Sequence, residues 1–166
     1  MIKSVIKGYG YYVPENVVTN DDLSKLMTTN DEWITERTGI KERRHRKNRN
    51  DSEETTAFLA KKAAEKALEK ANLTAKDLDF IVFATLSPDY FFPGSGVVLQ
   101  EMLGCDTIGA LDVRNQCSGF VYSMSVADAF IKAGTYKNIL VVGAEVHSFG
   151  LDFTDDGRGV SVIFGD

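Results

Sequence analysis

Short apolar runs alternate along this chain with segments of helical periodicity, and the alternation predicts an α/β fold. Phe80–Ala84 is apolar at every position, as in a parallel strand that helices cover on both faces. Residues 52–71 carry alanines at helical spacing, which predicts a helix that Ser52 caps and that approaches its neighbour closely. The other predicted strands are Ile2–Gly8, Ile108–Val113, Ile139–Ala144 and Val160–Phe164.

Capping residues mark the predicted helices. Thr19 precedes a short acidic helix, and Asn30 precedes a helix over Asp31–Thr38 that stops at Gly39. Thr74 caps one further turn. Two more helices are predicted, from about Ser95 to Leu103 and from Cys117 to Gly134. The resulting order is βαβαβαββ, in which short helical crossovers imply a mostly parallel sheet covered by helices.

The composition narrows the class of protein. A chain of 166 residues that is 43% hydrophobic suits one domain with its own core, and a net charge of −5 disfavours a nucleic-acid-binding face. No secretory pattern opens the sequence, and its apolar runs are shorter than a membrane span. Cys105 and Cys117 lack metal-site spacing. We therefore expect a cytoplasmic protein without nucleic-acid or membrane partners and without a metal.

Cys117 stands where a predicted strand meets a predicted helix. Free cysteine is usually a small buried hydrophobe, and Cys105 is given that interpretation. A helix N-terminus, however, stabilises a thiolate, and Gly119 leaves room for a substrate. Functional residues of such sheets gather at the carboxyl ends of the strands. Cys117 is therefore a candidate nucleophile.

Several motifs in fixed order resemble the β-ketoacyl-acyl-carrier-protein synthase III family of the thiolase superfamily. They are Asp31-Glu32-Trp33-Ile34, Arg37 to Arg43, Phe92-Pro93, Cys117-Ser118-Gly119-Phe120, Ser125 to Asp128, Val141-Val142-Gly143 and Phe164-Gly165-Asp166. The resemblance implies a thiolase-like fold of two similar halves, of which residues 1–166 correspond to the N-terminal βαβαβαββ half.

The resemblance also implies a reaction. Acetyl-CoA, or another acyl-CoA, acylates Cys117, and malonyl-acyl carrier protein then loses CO2 and attacks the thioester. The product is a 3-oxoacyl chain, which initiates fatty acid synthesis. The backbone N–H of Cys117 is one expected donor to the thioester oxyanion. No cofactor is implied, because the CoA thioester is a substrate.

Four further site residues come from the resemblance. Trp33 and Arg37 match positions that line the CoA entrance and contact its nucleotide end. The alternative for Trp33 is an aromatic residue of a surface helix that packs on the core. A third CoA position falls on Arg158 or Asp156, depending on the direction of counting, and a cation suits a phosphate better. Phe92 matches a residue that shapes the acyl pocket across a dimer, and the alternative is an ordinary apolar loop residue.

The run Lys41–Arg49 is strongly basic in an acidic protein. One interpretation is a solvated, mobile loop, in which His45 is also solvated. The other is a patch that attracts CoA phosphates or an acidic carrier protein.

The family's catalytic histidine and asparagine belong to its second half, and His147 does not match that histidine. The Cys117 helix is apolar nearly all round, which is typical of a helix buried on every side. We therefore expect a complementary C-terminal half as partner, a homodimer of the full fold, and an inactive chain without that half. The alternatives are a related condensing enzyme of secondary metabolism and a non-catalytic acyl-binding subunit.

Overall fold

The computed structural model of the protein describes residues 2–48 and 54–166. In chain order the strands and helices are β1 (Val17–Thr19), α1 (Asn20–Ser24), α2 (Asp31–Thr38), β2 (Glu42–Arg44), α3 (Thr56–Ala71), β3 (Phe80–Ala84), α4 (Ser95–Leu103), β4 (Gly109–Val113), α5 (Gly119–Lys132), β5 (Ile139–Gly143) and α6 (Arg158–Ser161). A 3-10 turn, Ala75–Asp77, precedes β3. The elements form two compact units. Unit 1 contains Met1–Tyr12 and Thr55–Glu145, and unit 2 contains Val13–Glu54 and Val146–Asp166.

Unit 1 is built on a three-stranded parallel sheet with the order β4-β3-β5. The central strand β3 pairs with β4 from Phe80↔Gly109 onward and with β5 from Phe80↔Ile139 onward. Helices separate its strands in sequence, as parallel strands require. The α/β class with a parallel sheet and covering helices is therefore confirmed.

Helices cover both faces of this sheet. On one face, Ile81 and Phe83 of β3 join a core cluster with residues of α3, α4 and β5. On the other face, the Phe80 ring meets the Phe130 ring of α5 at a centroid distance of 5.2 Å. All five residues of β3 are buried, as a continuously apolar strand predicts.

The segment Ile2–Gly8, predicted as a strand, is not one. It has no regular secondary structure, and it forms no backbone–backbone hydrogen bond to any other described residue. It lies directly on α3, because a methyl group at Gly8 would collide with the carbonyl oxygen of Ala67. The close approach predicted for the alanine-rich helix is therefore confirmed, and the neighbour is a glycine backbone.

Unit 2 contains the antiparallel pair of β1 and β2, with the register Val18↔Arg43. Its core cluster consists of Leu23, Met27, Ile34 and Val162. The predicted caps of its helices are confirmed. Thr19 accepts from the Asp22 N–H, and Asn30 accepts from the Trp33 N–H at 2.7 Å.

The basic run is not a mobile loop where the structure describes it. Part of it forms β2, and Arg43 is buried, donating to Asn20 Oδ1 at 2.8 Å and to the Val162 carbonyl at 3.0 Å. Burial lowers the pKa of the Arg43 guanidinium. His45, predicted to be solvated, is buried and its Nε2 lies 3.1 Å from the Phe164 carbonyl oxygen. Arg49 lies outside the described residues.

Two other boundaries differ from the predictions. Val160–Phe164 is not a strand; the chain turns into α6 there, and the Ser161 hydroxyl donates to the Asp152 carbonyl at 2.6 Å. The long helix begins at Thr56 with Thr55 as its cap, whereas Ser52 lies outside the described residues. None of the helices within residues 2–48 and 54–166 combines the length and the hydrophobicity that a membrane span requires.

Replacing Gly8 by alanine tests the contact with α3. Because the added methyl group meets a helix backbone that cannot move aside, we expect Gly8→Ala to lower the free energy of unfolding by about 1–3 kcal/mol in urea denaturation. Gly159→Ala is the matched control, since a methyl group there meets nothing within 4 Å. Equal stability of both variants would show that the segment does not lie on α3.

Candidate active site

Cys117 occupies the turn between β4 and α5, at the carboxyl end of the sheet in unit 1. The turn closes when the Gly119 N–H donates to the Gln116 carbonyl at 2.8 Å. Gly119 is buried, and a Cβ on it would lie 3.4 Å from Ala84 Cβ at the end of β3. The start of α5 therefore packs against the central strand, and this packing fixes the position of the cysteine.

The Cys117 side chain is exposed, and its backbone N–H has no hydrogen-bond partner in the part of the chain that the structure describes. A free N–H beside an exposed thiol can donate to an oxygen that develops negative charge when the sulfur attacks a carbonyl carbon. The N-terminal end of a 14-residue helix adds a favourable dipole for that charge.

Cys105 is a different kind of thiol. It lies partly buried beside the core cluster of unit 1, after the end of α4. Burial raises the pKa of the Cys105 thiol, so a smaller fraction is thiolate near neutral pH. The prediction that Cys105 is structural agrees with this environment.

Three carboxylates fix the long loop between β3 and α4. Glu145, just after β5, accepts from the Leu86 N–H at 2.9 Å and from the Ser87 N–H at 3.0 Å. Within the loop, the carboxylate of Asp89 caps the first turn of α3. At its far end, Asp112 of β4 accepts from the Ser95 and Gly96 N–H groups at 2.7 and 2.8 Å.

Sequence reasoning missed Glu145 and Asp112. The available signal was an acidic residue at or just after the end of a predicted parallel strand, the edge where polar functional groups gather. Asp112 lies inside the predicted strand Ile108–Val113, and Glu145 follows the predicted strand Ile139–Ala144. The main-chain groups that they bind are distant in sequence, so no local pattern indicates these contacts.

Phe92 lies in this loop with 90% of its surface exposed. Its neighbour Phe91 contacts the segment that carries the cysteine, since the Arg114 guanidinium carbon lies 5.9 Å from the Phe91 ring centroid. The loop and the cysteine turn therefore meet at the same edge of the sheet. The role of Phe92 in an acyl pocket stays a prediction.

In unit 2 the structure brings together Trp33, Arg37 and Arg158. The Arg37 guanidinium carbon lies 4.5 Å from the Trp33 ring centroid, and that of Arg158 lies 4.7 Å from it. Trp33 also packs against the core cluster of the unit, so the two alternatives for its role are compatible. A stacked guanidinium is well suited to bind phosphate while its face contacts a ring.

Arg158 is held in place by the turn after α1. Its Nη1 donates to the Thr28 carbonyl at 2.6 Å, and Asp155 accepts from the Thr28 hydroxyl at 2.7 Å. The hydrogen bonds from Thr28 hold the pKa of Asp155 below its usual range. Asp156 is exposed and lies in the turn that precedes α6. Arg158 and Asp156 are the two candidates for the third CoA position, and of these Arg158 is the one that lies beside Trp33.

Cys117 belongs to unit 1 and His147 to unit 2, where the His147 ring lies 4.9 Å from the Phe164 ring. Residues 2–48 and 54–166 contain no group of three or more His, Cys, Asp or Glu side chains that could hold a metal ion.

Comparison with known proteins adds a family to this geometry. A model of the family described as 3-oxoacyl-[acyl-carrier-protein (ACP)] synthase III matches residues 111–166, the part that contains the cysteine turn. The chain is similar to the β-ketoacyl-[acyl-carrier-protein] synthase III of Aquifex aeolicus, with 48% identity over 161 residues. That match covers 97% of this chain and 50% of the relative. The chain thus spans about half the length of the curated relatives it matches.

Solved structures agree with this comparison. The crystal structure of the Aquifex aeolicus synthase III superposes with a TM-score of 0.91 at 47% identity, covering 100% of this chain and 51% of the other. The priming β-ketosynthase of the R1128 polyketide pathway superposes with a TM-score of 0.89 at 30% identity, covering 97% and 46%.

The two thiols make a direct test of the cysteine environments. Because Cys117 is exposed and the pKa of Cys105 is raised by burial, we expect iodoacetamide at pH 7 to alkylate Cys117 at least about tenfold faster in the native protein. Peptide mapping by mass spectrometry measures both rates. Cys105→Ser should keep the fast reaction and Cys117→Ser should remove it. Equal native rates would contradict the assigned environments.

Proposed function

This chain belongs to the β-ketoacyl-[acyl-carrier-protein] synthase III family, whose curated members it matches over about half of their length, and we propose that it carries the acyl-accepting cysteine of such an enzyme. The observation that supports this proposal is the geometry of Cys117. An exposed thiol lies at a helix N-terminus and at the carboxyl end of a parallel sheet. The N–H of the same residue has no hydrogen-bond partner among residues 2–48 and 54–166.

In the proposed first step, the Cys117 thiolate attacks the carbonyl carbon of acetyl-CoA or another acyl-CoA. The Cys117 N–H donates to the oxyanion, the bond from carbon to the CoA sulfur breaks, and CoA leaves as a thiolate that takes up a proton. An acyl-cysteine thioester remains. Sulfur suits both halves of this exchange because a thiolate is a good nucleophile and a good leaving group.

In the proposed second step, malonyl-acyl carrier protein loses CO2, and its carbanion attacks the acyl carbon. A carbon–carbon bond forms, the Cys117 thiolate is released, and the product is a 3-oxoacyl-acyl carrier protein. The family resemblance assigns the histidine and asparagine that assist this step to a complementary C-terminal half. We therefore expect the 166-residue chain alone to be inactive in condensation.

We also propose that Trp33, Arg37 and Arg158 bind the nucleotide end of CoA. The two guanidinium groups beside one indole offer positive charge to phosphate and flat surfaces to adenine. Arg158 forms no ion pair among the described side chains, and Arg37 has only an exposed one, at 4.0 Å to Glu36. Their charge therefore remains available to an anionic ligand.

The reaction as proposed needs no resident cofactor, because the CoA thioester is itself a substrate. We expect it to take place in the cytoplasm and in a homodimer of the full fold, with Phe92 lining the acyl pocket of the neighbouring subunit. The exposure of Phe92 supports a contact with a second subunit.

A second candidate is a related condensing enzyme of secondary metabolism that uses the same cysteine on a different acyl-CoA. The similarity to a priming β-ketosynthase of a polyketide pathway supports this second candidate. A non-catalytic acyl-binding subunit would retain CoA binding without acyl transfer. A panel of acyl-CoAs separates the two enzymes, and the acylation of Cys117 separates both from the binding subunit.

Acylation tests the proposed nucleophile. We expect acetyl-CoA to acetylate Cys117 when this chain is mixed with a second polypeptide, the part of the Aquifex aeolicus relative that the chain does not match. Intact-mass spectrometry under denaturing conditions, followed by peptide mapping, locates the acetyl group. Cys105→Ser should leave the adduct and Cys117→Ser should abolish it. Acetylation at another residue, or an absence of acetylation in the mixture, would contradict the proposal.

Binding of CoA tests the cluster in unit 2. Trp33 is the only tryptophan of the chain, so adenine stacking should quench its fluorescence. We expect Arg158→Met and Arg37→Met each to raise the Kd for CoA about tenfold, which corresponds to about 1.4 kcal/mol.

Asp156→Asn is the matched control for this titration. Asp156 lies two residues from Arg158, and its substitution removes a negative charge, whereas Arg158→Met removes a positive one. The Kd for CoA should fall slightly or stay the same in this variant. If Asp156→Asn lost as much affinity for CoA as Arg158→Met, the third CoA position could not be assigned to Arg158 alone, and Asp156 would share in the contact.

A further inference from the structure

The loop after α1 and the turn before α6 meet on the core of unit 2. Met27 of the loop and Val162, which follows α6, both belong to the core cluster of the unit. Thr28 comes directly after Met27, and Arg158 is the first residue of α6. Since the core fixes these buried neighbours, it also brings Thr28 and Arg158 together.

Thr28 uses each of its polar groups on the turn that carries Arg158. Its carbonyl accepts from Arg158 Nη1 at 2.6 Å. Its N–H donates to Asp155 Oδ1 at 2.5 Å, and its hydroxyl donates to Asp155 Oδ2 at 2.7 Å. The Arg158 N–H in turn donates to the Asp155 carbonyl at 3.4 Å. These hydrogen bonds close a ring of contacts among Thr28, Asp155 and Arg158.

The ring of contacts sets the direction of the Arg158 side chain. An arginine side chain has several rotatable bonds, and fixing them before a ligand arrives lowers the entropic cost of binding. Here the Thr28 carbonyl holds one guanidinium nitrogen, and the guanidinium carbon lies 4.7 Å from the Trp33 ring centroid. Among the described residues no other acceptor bonds this guanidinium, so its remaining N–H groups can reach a ligand.

Asp155 is placed to neutralise Arg158 but does not do so. It precedes the arginine by three residues, a spacing at which opposite charges are neighbours on a helical turn. Both of its carboxylate oxygens are bonded to Thr28 instead, and within the described part of the chain it forms no ion pair with Arg158. Thr28 therefore keeps the carboxylate away from the guanidinium.

Two roles for Asp155 make opposite predictions. If Asp155 acts only as a negative charge near Arg158, it repels the phosphates of CoA, and its removal strengthens binding. If Asp155 holds Thr28, and through Thr28 the guanidinium, its removal frees both the loop and Arg158 and weakens binding. The sign of the change in the Kd for CoA therefore separates a positioning role from a purely electrostatic one.

We propose that Thr28 and Asp155 are positioning residues for the binding of the nucleotide end of CoA. Thr28 fixes the Arg158 guanidinium beside Trp33 through its carbonyl. Through its N–H and hydroxyl it holds Asp155 away from that guanidinium. The cation thus stays oriented beside the indole and available to phosphate. This inference rests on the proposed role of Arg158 in binding CoA.

Titration with CoA, followed by the fluorescence of Trp33, tests the proposal. We expect Asp155→Ala to raise the Kd for CoA about fivefold, because the loop and the guanidinium lose their common anchor. Asp156→Ala is the control for charge, since it removes the same charge one residue further on, whereas both carboxylate bonds to Thr28 come from Asp155. The Kd of this control should stay the same or fall. An unchanged or lower Kd in Asp155→Ala would overturn the proposal.

Two substitutions of Thr28 repeat the test without a change of charge. Thr28→Val removes the hydroxyl that holds Asp155 Oδ2 and keeps the shape of the side chain, whereas Thr28→Ser keeps the hydroxyl. We expect the Kd for CoA to rise about threefold in Thr28→Val and to change by less than about twofold in Thr28→Ser. Equal Kd values in the two variants would overturn the proposal. Should Asp155→Ala fail to fold, this pair still decides.

A double-mutant cycle shows whether the effect passes through Arg158. Asp155→Ala should raise the Kd for CoA in the unaltered chain and should not raise it further in Arg158→Met. The same increase in both backgrounds would show that Asp155 acts independently of Arg158, and it would overturn the proposal. If Arg158→Met itself leaves the Kd unchanged, the proposed CoA site fails and this inference fails with it. If Arg158→Met raises the Kd and Asp155→Ala does not, only this inference fails.

Discussion

A five-residue strand, β3, is buried on both faces, and the rest of unit 1 is arranged around that constraint. Its backbone lies in an apolar layer, where an unpaired N–H or carbonyl group is costly, so strands must flank it on both sides. Its side chains require one helical layer above the sheet and another below. With these layers in place, the loops that follow the strands converge on one edge, which is where the cysteine turn lies.

At that edge, carboxylate groups hold the loop in place by accepting hydrogen bonds from main-chain N–H groups. Glu145, Asp89 and Asp112 each accept two or more main-chain N–H groups, and together they fix a ten-residue loop that has little apolar cover. A carboxylate bonded to N–H groups makes stronger contacts than a neutral acceptor. The site in unit 2 uses another combination, in which stacked guanidinium groups cover an indole that is itself part of a core.

Features with a local cause could be predicted from the sequence. Asn30 and Gly39 delimit α2 by capping alone, and β3 follows from its unbroken apolar run. The apolar residues of Ile2–Gly8 and Val160–Phe164 also predict strands, but neither segment is one, because a strand exists only where another strand pairs with it. The basic run gave no local sign that Arg43 would be buried, since its acceptors Asn20 and Val162 are 23 and 119 residues away.

The same distinction applies to the site. Cys117 could be found because a strand end, a cysteine and a glycine follow one another in the sequence. The grouping of Trp33 with Arg158 depends on a contact over more than a hundred residues, and only the family resemblance indicated it. No local pattern indicates the role of Glu145, because its hydrogen-bond partners follow a different strand.

The chain has one tryptophan, in unit 2, and one exposed cysteine, in unit 1. With an acceptor dye attached to that thiol and the indole as donor, each unit carries one member of a fluorescence energy-transfer pair. The distance between the two probes then becomes a measurable quantity in solution without introducing a foreign residue.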